Sequence, residues 1–242
     1  MNMTHSIFLA GATGAVGRRL SRFLVEAGHQ VTGTTRSAEK VKTLRNLGVT
    51  PVVVDVFDRE ALIGAVVAAR PEVVIHQLTD LPPGLDPALM AEWRARNVRI
   101  REVGTRNLVD AAIRAGASRL IAQSIAFVYA PGPRPYTEEM DLYTDAADPL
   151  GASARAVESL EEQVLESGLE SVILRYGKFY GPGTGSDAVP DDGPVHVDAA
   201  AHAALLAVTR GEGVYNLAED DGAVSSVKAQ RELGWEPGFR LE

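Results

Sequence analysis

The sequence predicts an α/β fold built around a doubly wound parallel sheet. Short β-branched or apolar runs alternate along the chain with longer amphipathic segments, which is the pattern of parallel strands joined by helical crossovers. These runs are apolar on both faces, as expected for strands covered by helices on both sides. The predicted strands span residues 6–10, 30–34, 51–54, 73–77, 119–124, 171–175 and 214–217.

Helices are predicted in the segments between these strands, where capping aspartates precede several amphipathic patterns. The longest pattern, residues 87–115, is unbroken and has Asp86 as its cap and Pro87 in the first helical position. A stretch rich in glycine, proline and aspartate, residues 181–194, is predicted to be a loop. The predicted helices span residues 14–27, 58–69, 87–115, 152–166 and 198–208.

Composition and charge exclude several classes of function. The chain has 242 residues and no cysteine, so disulfide frameworks and thiol catalysis are excluded. A formal net charge of −8 argues against a nucleic-acid partner, whose phosphates would be repelled. No apolar run reaches membrane-spanning length and no leader pattern is present, so we expect a cytoplasmic protein with no membrane partner. A single domain over residues 1–242 can bury its core without a metal, and we expect no metal site.

A glycine-rich turn follows the first predicted strand and precedes the first predicted helix. Gly11 permits a tight turn, Gly14 lets backbone N–H groups approach a pyrophosphate, and Gly17 lets the helix pack closely on the strand. The N-terminus of the helix adds its partial positive charge. This context predicts a Rossmann-type dinucleotide site formed by Gly11, Thr13, Gly14, Ala15, Val16 and Gly17.

The end of the second predicted strand favours NADP(H) over NAD(H). NAD-binding proteins usually place an aspartate or glutamate there, but this strand ends at Arg36 and no carboxylate follows until Glu39. A guanidinium suits a 2′-phosphate. NAD remains open, because Arg36 could also be a solvated loop residue. Asp55 and Val56 end the third strand, where a carboxylate can accept a hydrogen bond from the adenine amino group.

With these motifs in place, the chain resembles the extended or atypical short-chain dehydrogenases/reductases, the NAD-dependent epimerase/dehydratase group. The resemblance runs from residue 7 to about residue 237. Besides the glycine motif, it is carried by segments 74–79 (Val-Ile-His-Gln-Leu-Thr), 104–108 (Gly-Thr-Arg-Asn-Leu), 124–129 (Ser-Ile-Ala-Phe-Val-Tyr), 175–183 (Arg-Tyr-Gly-Lys-Phe-Tyr-Gly-Pro-Gly), 196–198 (His-Val-Asp) and 228–235. It implies further cofactor contacts from Gln77, Leu78, Ser124, Gly177 and Lys178.

The catalytic residues that the resemblance implies are absent from this chain. The family uses a serine or threonine, a tyrosine and a lysine, and its register places Ile125, Leu150 and Ala154 at these positions. None of these three side chains can move a proton, and general acid–base catalysis is typically worth ~10²–10⁴-fold in rate. Tyr129 and Lys178 are the candidate substitutes, and Lys178 is also a candidate ribose ligand.

The C-terminal substrate lobe is predicted to be reduced. Its two contributing segments, at about residues 177–197 and 218–242, are short for this family, so a large substrate such as a sugar nucleotide is disfavoured. A group of arginines along the predicted long helix is interpreted mainly as a solvated face, with contact to a cofactor phosphate or an acidic substrate as the alternative. These arginines are Arg94, Arg96, Arg99, Arg101 and Arg106.

Two functions remain open from the sequence. The first is an NADP(H)-dependent oxidoreductase acting on a small carbonyl or enone, with the proton supplied by Tyr129, Lys178 or water. The second is a non-catalytic NADP(H)-binding sensor or regulatory protein, which the lost catalytic residues favour. A nucleotide-sugar epimerase or dehydratase is a weaker third. A small-molecule ligand is expected, and the family analogy implies a homodimer paired through helices 87–115 and 152–166.

Overall fold

A seven-stranded parallel sheet forms the centre of the molecule in a computed structural model that describes residues 4–80 and 88–241. The strand order is β3-β2-β1-β4-β5-β6-β9, and every neighbouring pair is parallel. The predicted doubly wound fold is confirmed. The strands of this sheet are β1 (Ser6–Ala10), β2 (Gln30–Thr35), β3 (Thr50–Val53), β4 (Val73–His76), β5 (Arg119–Ile125), β6 (Glu170–Tyr176) and β9 (Gly213–Leu217).

Helices cover both faces of the sheet. The five predicted helical segments are present, and two short helices, α2 and α8, were not predicted because six or seven residues are too few to show a periodic pattern. Asp148 caps α6 and Pro149 occupies its first turn, so that helix begins earlier than predicted. The helices are α1 (Ala15–Glu26), α2 (Val41–Asn46), α3 (Arg59–Ala69), α4 (Met90–Arg99), α5 (Thr105–Ala115), α6 (Pro149–Leu165), α7 (Val197–Leu206) and α8 (Val227–Leu233).

The prediction of one unbroken helix over residues 87–115 is wrong. A π-helical turn, Ile100–Gly104, separates α4 from α5, and the predicted cap at Asp86 and Pro87 lies outside the described residues. A π-helical turn inserts one residue into the helical register, and the amphipathic pattern did not reveal that insertion. The turn changes the direction in which its own side chains project, including that of Arg101.

The core has two layers, one on each face of the sheet. Successive residues of a strand point to opposite faces, so Ile7 and Leu9 of β1 join one layer whereas Phe8 joins the other. The first layer packs α1, α7 and α8 against the sheet, and Trp235 is buried in it with its Nε1 donating to the Ala199 carbonyl at 2.8 Å. The second layer is formed by α3, α5 and α6.

Two short parallel strands, β7 (Lys178–Tyr180) and β8 (Pro194–His196), form a small second sheet within the predicted substrate lobe. The extent of that lobe remains a prediction. The helix predicted to begin at Asp198 starts one residue earlier, because His196 is the N-cap and accepts from the Asp198 N–H at 3.2 Å. Asp198 instead forms a buried ion pair with Arg19 of α1, which ties α7 to the first helix.

A buried ion pair joins α6 to β6 beneath the carboxyl edge of the sheet. Arg175 donates to both carboxylate oxygens of Glu161, at 2.9 and 2.6 Å, and both side chains are almost fully buried. Burial by itself would lower the pKa of Arg175, but the hydrogen bonds and the charge of Glu161 raise it. Removing one partner of such a pair leaves the other charge buried and uncompensated.

We therefore expect Glu161→Ala to lower the free energy of unfolding by about 3–5 kcal/mol, measured by urea denaturation. Glu162→Ala is the matched control, since Glu162 is exposed on the same helix and its removal should change stability by less than about 0.5 kcal/mol. Equal losses from the two substitutions would contradict a structural role for the pair.

Candidate functional site

Two adjoining cavities open at the carboxyl edge of the sheet, with volumes of about 370 and 940 Å³. They meet where the strand order reverses between β1 and β4, the place where open α/β sheets bind ligands. Residues from the first turn, from the segment after β4 and from the segment after β7 line both cavities: Gly14, Ala15, Gln77, Thr79 and Thr184. We call the smaller one the adenosine-side cavity and the larger one the acceptor cavity.

The glycines of the first turn are required by close backbone contacts. Gly11 has φ +87°, and a Cβ there would lie 2.3 Å from the Gln77 carbonyl oxygen. A Cβ at Gly17 would lie 2.2 Å from the Gly11 carbonyl oxygen. The N-cap of α1 is Gly14, and no side chain caps the helix there. Its first N–H groups are therefore left to bind an anion.

Gln77 carries an unsatisfied polar atom at the junction of the cavities. Its Nε2 donates to the Tyr176 hydroxyl at 3.3 Å, whereas its Oε1 is buried and has no hydrogen-bond partner among residues 4–80 and 88–241. A buried acceptor without a partner costs free energy unless a ligand supplies a donor. The uncapped helix end and this acceptor together fit a dinucleotide, which carries both phosphates and hydroxyl donors.

Cationic side chains line the adenosine-side cavity. Arg36 and Lys40 both contribute to its wall, and Arg36 donates to the Asp80 carboxylate at 3.0 and 3.5 Å. Arg96 lies 3.8 Å from the same carboxylate. Sequence reasoning missed Lys40 and Asp80, because neither belongs to the glycine motif nor ends a strand.

The two residues predicted at the end of the third strand, Asp55 and Val56, have different surroundings in the structure. Val56 lines the adenosine-side cavity, as Leu78 does. Asp55 does not line it, because the Asp55 carboxylate is exposed and accepts from the Phe57 N–H at 2.9 Å. A carboxylate used in this way stabilises a local turn, and the adenine contact of Asp55 remains a prediction.

The acceptor cavity is lined by two of the three residues that the resemblance assigns to the family's acid–base positions. Ile125 and Leu150 line its wall, whereas Ala154 is fully buried beneath it. Ser124 also lines the cavity, but its hydroxyl donates to Glu161 at 2.7 Å. Val16, Gly17 and Gly177 complete the contacts that the sequence predicted on this side.

Tyr129 does not reach either cavity. Its ring stacks on Tyr136 at 5.1 Å, and its hydroxyl donates to Asn216 at 2.6 Å while accepting from Arg175 at 2.9 Å. Burial raises the pKa of this phenol, although Arg175 and Asn216 act in the opposite direction. Phe127 and Val128 still line the acceptor cavity, but Tyr129 lies in a separate hydrophobic cluster with Ala126 and Tyr136.

Lys178 does line the acceptor cavity. Its Nζ lies 3.6 Å from the Asp192 carboxylate, and the side chain is partly exposed. The neighbouring position 177 requires glycine, because a Cβ there would lie 2.1 Å from the Gly193 carbonyl oxygen. Of the two candidate proton donors, the structure brings only Lys178 to the cleft.

A sequence model of the family described as NAD(P)H-binding matches residues 11–208. The chain belongs to the NAD(P)H-binding family. Among curated proteins, this NAD(P)H-binding chain is 41% identical to the 3-diazoavenalumate denitrifying reductase of a Streptomyces species, a match covering 90% of this chain and 77% of that reductase. It is 27% identical to an uncharacterized chloroplast protein of Arabidopsis thaliana, over 89% of this chain and 76% of that protein.

Solved structures show the same fold. The UDP-glucose 4-epimerase of Thermotoga maritima superposes with a TM-score of 0.77 at 21% identity, covering 97% of this chain and 94% of that one. The Thermus thermophilus UDP-glucose 4-epimerase, solved with NAD, gives 0.76 at 22% identity with the same coverages. The resemblance to extended short-chain dehydrogenases/reductases is confirmed. No helix in the described parts of the chain is both long and apolar enough to cross a membrane.

His76, at the end of β4, makes the site sensitive to acid. Its Nδ1 accepts from the Leu78 N–H at 3.4 Å and its Nε2 lies 3.2 Å from the Thr105 hydroxyl. Burial, with a smaller contribution from the nearby charge of Arg101, lowers the pKa of His76 from 6.5 to about 4, against a backbone hydrogen bond that raises it. Folded His76 therefore remains neutral under conditions in which the unfolded chain binds a proton.

The stabilisation contributed by neutral His76 is present above pH 6.5 and is lost as the pH falls from 6.5 toward 4. We expect up to about 3 kcal/mol of unfolding free energy to disappear over this interval, and His76→Gln to flatten this part of the curve. Denaturation at a series of pH values measures the free energy of unfolding of both proteins, and the two curves should run parallel above pH 7. An unchanged acid slope in the variant would assign the loss to other groups.

Proposed function

We propose that the protein is an NADPH-dependent reductase that passes hydride to a small electrophilic acceptor without the phenol-and-ammonium acid of its family. The observation that carries this proposal is the combination of a cleft suited to a dinucleotide with Ile125 and Leu150 at the acid–base positions. The reductase activity in the name of the Streptomyces relative supports it.

The preference for NADPH follows from the charge of the adenosine-side cavity. Arg36 and Lys40 line this cavity with one carboxylate, that of Asp80, which Arg36 and Arg96 both approach, so positive charge is in excess there. Asp80 could accept from a ribose hydroxyl, but its oxygens already face two guanidinium groups. An additional phosphate, bound by the fork of Arg36, would balance this charge.

Arg36→Ala and Lys40→Ala should each weaken NADPH binding by roughly 10- to 100-fold and change NADH binding by less than about 3-fold, in titrations of cofactor fluorescence. Arg45→Ala is the control, since Arg45 is an exposed cation on α2 outside the cavity wall. Equal losses for the two cofactors would remove the assignment of the 2′-phosphate to this pair of residues.

The residues of the acceptor cavity limit the reactions that are possible there. When bound, the dinucleotide supplies a hydride. Ile125 and Leu150 exclude water from the wall but donate no proton, and the phenol of Tyr129 is out of reach. Reductions that need no acid are therefore favoured: replacing the nitrogen of a diazonium group by hydride releases N₂ and leaves a C–H bond, with no proton from the protein. A small carbonyl or enone would require its proton from Lys178 or water.

The acceptor class is tested with purified protein and NADPH deuterated at C4, in both stereochemical forms. We expect oxidation of the cofactor by arenediazonium ions, with and without a ring carboxylate, above the rate without protein, and deuterium in the arene product. Lys178→Met should leave this reaction unchanged and should lower any turnover of aldehydes or enones by roughly 10²-fold.

The competing function is a non-catalytic NADP(H) sensor, which the replaced acid–base residues favour. Tight NADPH binding with no oxidation by any diazonium ion, aldehyde, ketone or enone would support the sensor and contradict a reductase. A nucleotide-sugar epimerase is disfavoured by the short lobe segments around β7 and β8. The homodimer paired through residues 87–115 and 152–166 remains a prediction.

A further inference from the structure

An arginine without a partner lines the acceptor cavity. Arg101 lies on the π-helical turn between α4 and α5 and contributes to the cavity wall. Its guanidinium has no hydrogen bond or ion pair with any of the residues that the structure describes. The solvated helix face predicted from the sequence is therefore wrong for Arg101. The inserted residue of the π-helical turn points it inward, and such turns are frequent at functional sites.

The surrounding groups do not neutralise this charge. Glu161 is the carboxylate that acts on Arg101, but both of its oxygens are already bonded to Arg175 and one also accepts from Ser124. His76 is neutral, with a pKa of about 4. Burial lowers the pKa of Arg101 to about 10, so the side chain remains protonated at neutral pH. Among the described residues, no carboxylate forms an ion pair with this enclosed positive charge.

None of the other described ionisable groups of the wall pairs with Arg101. Asp148 accepts from the Gly151 N–H at 2.8 Å as the cap of α6, and Lys178 is paired with Asp192. Asp191 brings one negative charge to the wall and Arg94 brings a further positive one. Among the described residues, Arg101 is thus an enclosed cation whose guanidinium no carboxylate contacts.

The remaining wall is apolar and unusually exposed. Three large hydrophobic side chains that line the cavity, Phe127, Leu150 and Val189, are 42%, 44% and 57% exposed. Clustered exposed apolar groups around a concave surface indicate a ligand-binding groove. They would cover the faces of a flat hydrocarbon body, whereas Arg101 would bind an acidic group at one end of it.

We propose that the acceptor cavity binds an organic carboxylate with a flat apolar body, whose carboxylate is held by the guanidinium of Arg101. A guanidinium binds a carboxylate through two parallel N–H···O bonds, which fix orientation as well as charge. The proposal rests on the proposed function in one respect, that the bound carboxylate is the hydride acceptor. The binding itself does not depend on turnover.

The test uses NADPH-loaded protein and a matched pair of probes, cinnamate and its uncharged primary amide, cinnamamide, with dissociation constants measured by calorimetry. We expect cinnamate to bind roughly 10- to 100-fold more tightly than cinnamamide. Arg101→Gln should remove this difference by weakening cinnamate alone, and Arg101→Lys should restore part of it. Arg106→Gln is the matched control, since Arg106 is an exposed arginine of α5 outside the cavity wall.

Equal binding of the two probes to the wild-type protein would overturn the proposal, and this comparison needs no variant to fold. Loss of cinnamate affinity in Arg106→Gln equal to that in Arg101→Gln would also overturn it, because net charge alone would then be responsible. So would a parallel loss of NADPH affinity in Arg101→Gln, which would assign Arg101 to the cofactor. Because no hydride is transferred to these probes, a failure of the reductase proposal would leave this result unchanged.

Discussion

The contact between Gly11 and the Gln77 carbonyl is the constraint on which the rest of the site depends. It brings the turn after β1 against the end of β4, at the point where the strand order reverses. The start of α1, which no described side chain caps, and Gln77, whose side-chain oxygen has no partner among the described residues, then line the same cleft. A side chain at Gly11 or Gly17 would require backbone movement, so the position of the cleft is determined by atoms that have no room to shift.

A second constraint lies beneath the acceptor cavity, where one carboxylate accepts hydrogen bonds from several groups. Glu161 accepts from Ser124 and Arg175, and Arg175 in turn donates to the hydroxyl of Tyr129. This network engages the serine and the tyrosine that stand nearest to the family's catalytic positions. Because Glu161 is engaged in this network, it forms no ion pair with Arg101. The hydrogen bonds made within this buried network thus determine which groups remain available to a ligand.

These two constraints give the two sides of the cleft different chemical character. Backbone N–H groups and cations face the dinucleotide side, whereas apolar side chains and one enclosed guanidinium face the acceptor side. The proposed reductase would use this cleft to position two molecules and exclude water, with little acid–base chemistry from the cleft's own side chains. Reductions driven by the electrophilicity of the acceptor are the class of reaction that suits it, and binding without reaction is the alternative that the same features allow.

The sequence alone determined the doubly wound sheet, the glycine turn and the apolar residues at the catalytic positions, because these depend on local periodicity and on motifs of fixed spacing. It also placed Arg36 beside the adenosine-side cavity. Only the tertiary structure decided that Tyr129 packs away from the cleft, that Asp55 stabilises a turn, and that a π-helical turn directs Arg101 inward. The physical reason is that hydrogen-bond partners distant in sequence, and a single inserted residue in a helix, leave no periodic signal in the chain.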